Sequence, residues 1–260
     1  MKALFLALGL IASPLAAEAP AGFDIYLLGE VHDNARHHAT QAEWVAGIAP
    51  RAVVFEMLTP AQAGRITAAL IDDPAALAEA LEWEDSGWPA FALYHPIFLA
   101  AGGARFHGAG VPRDAARAAV RAGIVESFGA GDARRFGLDR PLPEAERDAR
   151  LAHQAAAHCN ALPEEMLPMM VDIQRLRDAE LARAALAARD ETGGPVVVIT
   201  GNGHARRDWG VPVYLAAADP GLRVFALGQS EDGAIAGRFD VTRDAPRVAR
   251  PDPCAAFAKD

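Results

Sequence analysis

The sequence predicts an α/β fold: a largely parallel β-sheet flanked by helices, with a helical insertion or cap. Short apolar runs alternate along the chain with segments of helical periodicity, which is typical of strands joined by crossover helices. Several of these runs end in polar side chains, which a purely structural sheet does not need. One long stretch, about 126–190, is rich in Ala, Arg, Glu and Leu and contains no convincing strand. This stretch is the predicted insertion.

Five runs are predicted to be strands because they are short and bounded by Gly, Pro or polar residues. They cover residues 23–28, 52–57, 103–108, 196–200 and 222–227. The third is the weakest of the five. The segment after 227 carries Pro246, Pro251 and Pro253 and is predicted to be mostly irregular.

Helical periodicity and prolines at helix starts predict the segments that connect these strands. The helices before the insertion are 34–48, 61–70, 74–81, 97–101 and 114–121. Inside it, two long helices are predicted at 143–160 and 163–188, divided by a break at 160–163. A helical cap over a sheet edge forms a covered crevice, which favours binding of an organic ligand.

Length and composition limit the classes to which the chain can belong. With 260 residues, 52% of them hydrophobic, it is long enough for one large domain with a substantial core. The net charge of −9 argues against a nucleic-acid partner, which would need a basic face. The absence of a G-x-S-x-G elbow, an H-E-x-x-H helix and a P-loop argues against ordinary serine hydrolases, zincins and P-loop NTPases.

The amino terminus has the pattern of a secretory signal peptide. Lys2 precedes an apolar run at 4–12, and small residues follow it. We therefore expect residues 1–19 to be removed and residues 20–260 to form a single soluble domain that is exported to the periplasm. The apolar run is too short for a permanent membrane anchor, and no cysteine follows it for lipid attachment.

The two cysteines, Cys159 and Cys254, leave two interpretations open. A disulfide between them is allowed in an exported protein and would tie the C-terminal tail to the body of the fold. The alternative is two unpaired thiols, since the sequence carries no distance between the two residues.

Two short motifs of the same form follow two of the predicted strands. G-E-V-H ends at His32, after strand 23–28, and G-N-G-H ends at His204, after strand 196–200. If both strands belong to one parallel sheet, both histidines emerge at the edge where ligands bind. We therefore expect His32 and His204 to face one ligand.

Imidazole and carboxylate groups at this edge favour metal binding. His32, His204, Glu30 and Glu56 are predicted ligands of a divalent metal ion, and in a hydrolase the same four residues would be catalytic. The alternative is that both histidines are strand-end residues hydrogen-bonded to loop backbone. His37, on the following helix, could reach back toward the crevice.

An aromatic group of residues is compatible with a haem site. Haem iron can be held by tyrosine or histidine, so Tyr94 and His95 are predicted axial ligands. Trp88 is predicted to form an aromatic wall beside them. The alternative is that these aromatic residues simply pack a loop on the core.

Three polar residues are predicted to contact the same ligand. Arg113 lies at a helix start, where its positive side chain suits a carboxylate or propionate. Gln174 and Asp178 are four residues apart and share one face of a predicted insertion helix. The alternative for this helix face is a solvated stripe, since charged residues are dense along it.

These motifs resemble those of the ChaN family, haem-binding and iron-uptake-associated bacterial proteins in a superfamily that includes the Tiki and TraB proteins. The resemblance runs from about residue 23 to 215. The matching pieces are L-G-E-V-H-D at 28–33, F-E-M at 55–57, S-G-W-P at 86–89, Q-x-x-R-D at 174–178 and T-G-N-G-H-A at 200–205.

The resemblance implies an α/β sheet with a helical cap, an export signal and haem as the ligand. Tyrosine ligation in ChaN relatives would map to Tyr94. In the Tiki branch the two histidines and a glutamate are implicated in metal-dependent peptide hydrolysis, which would map to His32, His204 and either Glu30 or Glu56. ChaN proteins are often lipoproteins, and the missing cysteine is a departure from that pattern.

The sequence thus predicts an exported haem-binding protein of haem or iron uptake, with Tyr94 or a nearby histidine as axial ligand. The alternative is a metal-dependent hydrolase, a Tiki-like peptidase or an esterase, that uses the two G-x-x-H histidines. An outer-membrane haem receptor system is an expected partner and nucleic acid is not. The oligomeric state is left open, with a homodimer among the alternatives.

Overall fold

The structure is a computed structural model that describes residues 19–252, 254 and 255, and its centre is a six-stranded β-sheet. All neighbouring strands in the described residues run parallel. The strands are β1 Ile25–Glu30, β2 Ala52–Phe55, β3 Arg105–Gly108, β4 Val196–Gly201, β5 Val224–Glu231 and β6 Val241–Ala245. Their order across the sheet is β3-β2-β4-β1-β5-β6. The predicted α/β fold with a largely parallel sheet is confirmed.

Twelve α-helices connect these strands within the described residues. They are α1 Ala35–Ile48, α2 Pro60–Ala63, α3 Ala68–Ile71, α4 Pro74–Ala80, α5 Phe91–Ala100, α6 Arg113–Ala122, α7 Ile124–Phe128, α8 Ala130–Phe136, α9 Glu144–Ala157, α10 Leu167–Thr192, α11 Asn202–Ala205 and α12 Val211–Ala218. A short 3-10 helix at Glu164–Met166 leads into α10.

Helices cover both faces of the sheet, so its central strands are buried on both sides. β1 and β4 are buried along their whole length. Successive residues of a strand point to opposite faces, which divides the apolar side chains between two cores. Leu27 belongs to the core formed with α8, α10 and α12, whereas Leu28 belongs to the core formed with α1 and α5.

The pairing of β1 with β4 determines where the two histidine motifs lie. Gly29 is opposite Thr200 and Glu30 is opposite Gly201. Because the two strands are parallel neighbours, the turns that follow them leave the sheet at the same edge.

The predicted insertion is only partly a cap. α10 has 26 residues, and buried residues such as Leu176, Ala179 and Leu186 pack in the core that covers β2 and β4. α9 packs against α10 and is buried only at Arg150. α10 is therefore part of the layer that covers the sheet. The dense charges along α10, most of them on half-buried residues, make the whole helix look peripheral in the sequence.

Three other predicted boundaries are wrong. The tail that was expected to be irregular contains β6, a polar and mostly exposed edge strand without an apolar run to reveal it. The helix predicted at 61–70 is two short helices, since Thr59 and Thr67 each cap a helix start. The helix predicted at 97–101 begins earlier, at Phe91.

The two cysteines form a disulfide, so the first of the two interpretations holds. Cys159 lies in the turn after α9, and Cys254 lies in the tail beyond β6. Their Cα atoms are 5.4 Å apart although 95 positions separate them in the sequence. The bond ties the C-terminal tail to the turn between α9 and α10.

The predicted signal peptide, residues 1–19, lies outside the described residues except for Ala19. Among the residues that the structure describes, no helix has the length and apolar character needed to cross a bilayer. Export therefore stays a prediction.

Phe98 on α5 offers a test of the core. Its ring stacks on that of Phe55 with 4.5 Å between centres, and both side chains are buried. Phe98→Ala is expected to lower the free energy of unfolding by about 3–5 kcal/mol, because it removes a buried ring and leaves a cavity. Its neighbour Leu99 is 50% exposed, so Leu99→Ala is expected to cost under about 0.5 kcal/mol. Urea unfolding followed by circular dichroism measures both, and equal losses would contradict this orientation of α5.

Candidate functional site

Polar side chains meet where β1, β2 and β4 end, at the carboxyl edge of the sheet. Glu30 ends β1 and precedes His32 by two residues, Glu56 follows β2, and His204 lies on α11 after β4. These strands are neighbours in the order β2-β4-β1. The structure therefore places both motif histidines at one edge, with Glu56 in reach of both. We call Glu30, His32, Glu56 and His204 the rim.

Glycines let the two motifs approach each other closely. A Cβ atom at Gly201 would lie 3.0 Å from Nε2 of His32 and 3.8 Å from Oε2 of Glu56. A Cβ atom at Gly29 would lie 2.5 Å from the Asn202 side chain. Each motif thus contributes a glycine that makes room for the other, and close approach is the reason for glycine at both positions.

His32 is the more accessible of the two rim imidazoles, with 35% of its side chain exposed. Its Nδ1–H donates to Oε1 of Glu30 over 2.8 Å, and its ring meets Trp88 edge to face, with 4.9 Å between centres. Burial opposes the charged form, but the hydrogen bond to Glu30 and the charge of Glu56 outweigh it and raise the pKa of His32. Because Nδ1 is engaged, Nε2 is the nitrogen left to bind a ligand.

Glu30 is the buried anchor of His32. Tyr94 donates its hydroxyl hydrogen to Oε1 of Glu30 over 2.9 Å, and Nδ1 of His38 lies 3.4 Å from Oε2. Nε2–H of His38 also donates to the carbonyl oxygen of His32 over 2.8 Å. These contacts fix both the carboxylate and the backbone of the loop that carries His32.

Glu56 lies at the junction of the two motifs. Its Oε2 accepts hydrogen bonds from the Thr200 hydroxyl at 2.7 Å and from the backbone N–H of Gly201 at 2.8 Å. Burial would raise its pKa, but the charges of His204 and His32 and the hydrogen bonds outweigh burial and hold the pKa of Glu56 well below its usual range. Glu56 is therefore an ionised carboxylate at neutral pH.

His204 is buried between two carboxylates. Its Nδ1 lies 2.6 Å from Oδ1 of Asp178 on α10, and its Nε2 lies 3.4 Å from Oε1 of Glu56. Burial alone would lower its pKa, but these two charges raise the pKa of His204 to about 10. Nε2 of Gln174 lies 3.2 Å from Nδ1 of the same ring. The structure thus brings the predicted residues Gln174 and Asp178 to the site through His204.

The two rim histidines are held in the same way. Nδ1 of each contacts a buried carboxylate, Glu30 for His32 and Asp178 for His204. A carboxylate behind an imidazole fixes the ring orientation and leaves Nε2 for a ligand or a proton. At His32 the side chain is 35% exposed and Nε2 lies next to Gly201, which has no side chain, whereas at His204 Nε2 is paired with Glu56. The rim can therefore bind a ligand atom at His32 and hold protons at His204.

The described residues contain no group of three or more His, Cys, Asp or Glu side chains that could hold a metal ion. The predicted divalent metal site of His32, His204, Glu30 and Glu56 is therefore not supported. Glu30 and Glu56 already accept hydrogen bonds from protein donors, and both nitrogens of His204 already face carboxylates.

Tyr94 is fully buried, which argues against its predicted role as an axial haem ligand. Its hydroxyl lies within 2.9 Å of Glu30 and 3.4 Å of the His32 carbonyl oxygen. Burial and the nearby Glu30 charge raise the pKa of Tyr94 far above its ordinary value, so the phenolate that would ligate iron is disfavoured. Tyr94 supports the His32 loop instead.

His95 and His37 were predicted to contact the ligand, but both are engaged in the fold. Nε2–H of His95 donates to the carbonyl oxygen of Ile71 over 2.8 Å and joins α5 to α3. Nδ1 of the buried His37 accepts from the N–H of Val31 at 2.9 Å, and Nε2–H donates to the carbonyl oxygen of Ser230 at 3.2 Å. Burial also lowers the pKa of His37. With both ring nitrogens used, His37 is a structural residue.

Arg113 and Trp88 remain available to a ligand. Arg113 is exposed at the start of α6, which follows β3 at the carboxyl edge of the sheet. Among the described residues it has no hydrogen-bond or ion-pair partner. Trp88 is partly exposed beside His32.

Sequence reasoning gave no role to His38 and did not single out Arg150. His38 lies on the buried face of α1 together with Gln41 and Val45, and this spacing of polar residues on an apolar face was a signal that could have been used. Arg150 is buried, donates to the carbonyl oxygen of Trp209 over 2.8 Å and lies 4.0 Å from Asp178. No local pattern in α9 distinguishes it from the other arginines there.

His204 is expected to stay protonated well above neutral pH. Its pKa of about 10 in the fold exceeds the ordinary 6.5, so its stabilising effect is complete below about pH 6.5 and is lost as pH rises through 10. An NMR titration of the imidazole measures this directly, and Asp178→Asn is expected to lower the midpoint. A midpoint near 6.5 in the unmodified protein would contradict the flanking role of Glu56 and Asp178.

Comparison with solved structures finds chains that align with this one over most of its length. The structure described as cofacial heme binding to ChaN of Campylobacter jejuni aligns with a TM-score of 0.62 and 18% identity, over 84% of this chain and 86% of that one. The type III effector HopBA1 aligns at a TM-score of 0.43 and 13% identity, over 86% and 88% of the two chains. A Bacillus cereus protein aligns at 0.40 and 13%, over 81% and 66%.

The comparison of sequences points to one family. Curated proteins yield no match. A family model described as "Haem-binding uptake, Tiki superfamily, ChaN" matches residues 16–215, which is well over half of the chain. The same span includes the whole rim, Trp88 and the buried contacts of Tyr94, Asp178 and Gln174. The chain therefore belongs to the ChaN family of haem-binding uptake proteins in the Tiki superfamily.

Proposed function

We propose that this protein is exported, binds haem at the rim through Nε2 of His32, and takes part in haem or iron uptake. Membership of a haem-binding uptake family supports the class of ligand. The observation that carries the site is the imidazole of His32, which is partly exposed, held at Nδ1 by Glu30 and flanked by Trp88.

The chemistry of these residues fits a haem. Imidazole is a common axial ligand of haem iron, and a hydrogen bond from its other nitrogen fixes the ring and increases its basicity. Bound haem would supply an iron atom that accepts the electron pair of Nε2. The partly exposed indole of Trp88 offers an apolar surface for a flat macrocycle. Arg113, exposed at the same edge of the sheet, would meet a propionate.

Tyr94 and His38 would act on the ligand through Glu30. Both contact this buried carboxylate, and His38 also holds the backbone carbonyl of His32. Their task is to keep Nδ1 of His32 engaged, which leaves Nε2 for the ligand. His32 is therefore the nearby histidine that we place as axial ligand, in preference to Tyr94.

The Campylobacter relative is described by cofacial haem binding. We extend that property to this chain as part of the proposal. His32 is partly exposed and would bind one face of a haem, and the second face would then meet another haem. Two copies of the chain, each with one haem, would bring these second faces together. We therefore propose a homodimer as the haem-bound form. Passage of haem from an outer-membrane receptor system is proposed on family grounds alone.

A haemin titration followed at the Soret band tests this function. The unmodified protein is expected to saturate, and His32→Ala is expected to weaken binding at least about 10-fold and to shift the band, since the iron loses its nitrogen ligand. Tyr94→Phe is expected to weaken binding less and to keep the spectrum. His95→Ala is the matched control and should bind normally.

Two outcomes would overturn parts of this proposal. Loss of the Soret shift in Tyr94→Phe but not in His32→Ala would reverse the assignment of the ligand. No saturable shift in the unmodified protein would remove haem binding altogether.

A hydrolase is the second candidate, and the contacts of Glu56 are the observation in its favour. An ionised carboxylate beside an imidazolium can orient a polar substrate or a water molecule and stabilise charge that develops on it. The Tiki relatives imply a metal-dependent hydrolase. In that case Nε2 of His204 would bind the metal ion and lose its ion pair with Glu56.

His204→Ala separates the two candidates. We expect this variant to keep the position of the Soret band, because the proposed axial ligand His32 is unchanged, and to bind haem more weakly, because Glu56 is shared between the two histidines. The hydrolase candidate instead requires stoichiometric divalent metal in the purified protein, together with peptide or ester hydrolysis, and loss of both in His204→Ala. Metal analysis and a hydrolysis assay on the same samples measure this.

A further inference from the structure

After β6 the chain returns from the edge of the sheet to the loop that carries His32. β6 pairs with β5 at the end of the sheet, and the residues beyond it contact the end of β5 and Asp33. We call residues 246–252 together with Cys254 the C-terminal clasp, and residues 31–34 the histidine loop. The clasp is anchored twice, at the histidine loop and, through the disulfide, at the turn between α9 and α10.

Arg250 is the anchor at the histidine loop. Its Nε and Nη2 donate to the two carboxylate oxygens of Asp33 at 2.9 and 2.7 Å, and its Nη1 and Nη2 donate to those of Glu231 at 2.7 and 2.8 Å. Asp33 follows His32 directly in the chain. Bidentate, charge-assisted pairs of this kind fix orientation as well as position. The Arg250 guanidinium is also the main cause that lowers the pKa of Glu231 to about 2.

Asn34 completes this anchor from the side of the loop. Its Nδ2 donates to Oε1 of Glu231 at 2.8 Å and to the carbonyl oxygen of Pro246 at 3.1 Å. Its Oδ1 caps α1 by accepting from the N–H of Arg36 at 3.0 Å. The histidine loop is therefore held between β1 on one side and the clasp on the other.

The disulfide is the second anchor, at the tip of the α9–α10 hairpin. Cys159 and Asn160 both have left-handed backbone angles, with φ of 59° and 53°, which defines a sharp turn at the tip. Cys254 is four positions beyond Arg250, and four residues span at most about 14 Å. The clasp thus keeps the hairpin tip close to the histidine loop.

We propose that Arg250 is a positioning residue that acts on His32 through Asp33, and that the Cys159–Cys254 disulfide makes this positioning depend on redox state. The proposal rests on the proposed function only in taking His32 as the haem ligand. With the disulfide intact, the loop, the clasp and the hairpin form one closed unit. When it is cleaved, the hairpin tip is released and the clasp is held by Arg250 and its neighbours alone.

Cleavage needs a dithiol reductant, of which dithiothreitol is the laboratory example. One thiolate of the dithiol attacks a cysteine sulfur to form a mixed disulfide, and its second thiol closes a cyclic disulfide. The two cysteine sulfurs take up two electrons and two protons and become thiols. The dithiol supplies both.

The first test uses the haem-free, full-length protein. Amide hydrogen exchange over the histidine loop is expected to become at least about 10-fold faster in Arg250→Ala and in the double variant Cys159→Ser/Cys254→Ser, because each loses an anchor of the clasp. Arg250→Lys should fall between Arg250→Ala and the unmodified chain. Arg247→Ala is the matched control: Arg247 lies in the same segment, is 71% exposed and contacts Glu231 only at 3.9 Å.

Reduction is a second test that needs no substitution, so a folding defect of a variant cannot account for its result. Dithiothreitol should speed exchange over the histidine loop in the unmodified chain, reoxidation should reverse this, and the double variant should not respond. In haemin titrations without added thiol, release of haem should become faster in Arg250→Ala and in the double variant Cys159→Ser/Cys254→Ser, with the position of the Soret band unchanged. A thermal melt of each variant shows that it is folded.

The outcomes separate this proposal from haem binding. Exchange over the histidine loop that is unchanged by both Arg250→Ala and reduction would overturn the clasp, whatever the haem result. If hydrogen exchange over the histidine loop responds to Arg250→Ala and to reduction but the protein does not bind haem, the positioning role of Arg250 is supported and the haem assignment is wrong.

Discussion

The parallel pairing of β1 with β4 is the constraint on which the site depends. It sets Glu30 opposite Gly201, and everything at the rim follows from that register. The backbone N–H of Gly201 is free to hold Glu56, and the missing side chain leaves room for the ring of His32. A slip of one residue would turn Glu30 to the other face and move His32 away from Gly201 and Glu56.

The rim also shows how the fold accommodates charge in its interior. Burying an isolated carboxylate is costly, and removal of one partner from a buried pair leaves the other uncompensated. Here each buried carboxylate has an imidazole or a guanidinium beside it: Glu30 has His32, Glu56 has His204, and Asp178 has His204 and Arg150. Within this network His204 lies between two carboxylates and is buried, whereas His32 contacts only Glu30 directly and is partly exposed. That difference supports assigning ligand binding to one histidine and proton retention to the other.

Much of the fold could be predicted because it depends on local pattern. Apolar runs and the prolines before helices located five of the six strands in the described residues, and the strand ends located Glu30, His32, Glu56 and His204. The sequence does not predict β6, because an exposed edge strand needs no apolar run. The sequence predicts α10 as part of a cap because the alanines that pack it on the sheet are small and uninformative, whereas its many charged residues are conspicuous.

The sequence by itself determined which residue types follow each strand, since that is a matter of order along the chain. Only the tertiary structure decided what each of them does, because that depends on which neighbour fills the space beside it. Tyr94 and His95 are adjacent in sequence, yet one supports Glu30 and the other binds the backbone of Ile71, since successive residues on a helix point about 100° apart. The partners of His204 on α10 and of Asp33 in the tail lie far away in the chain, so burial and charge pairing could assign them only once the chain had folded.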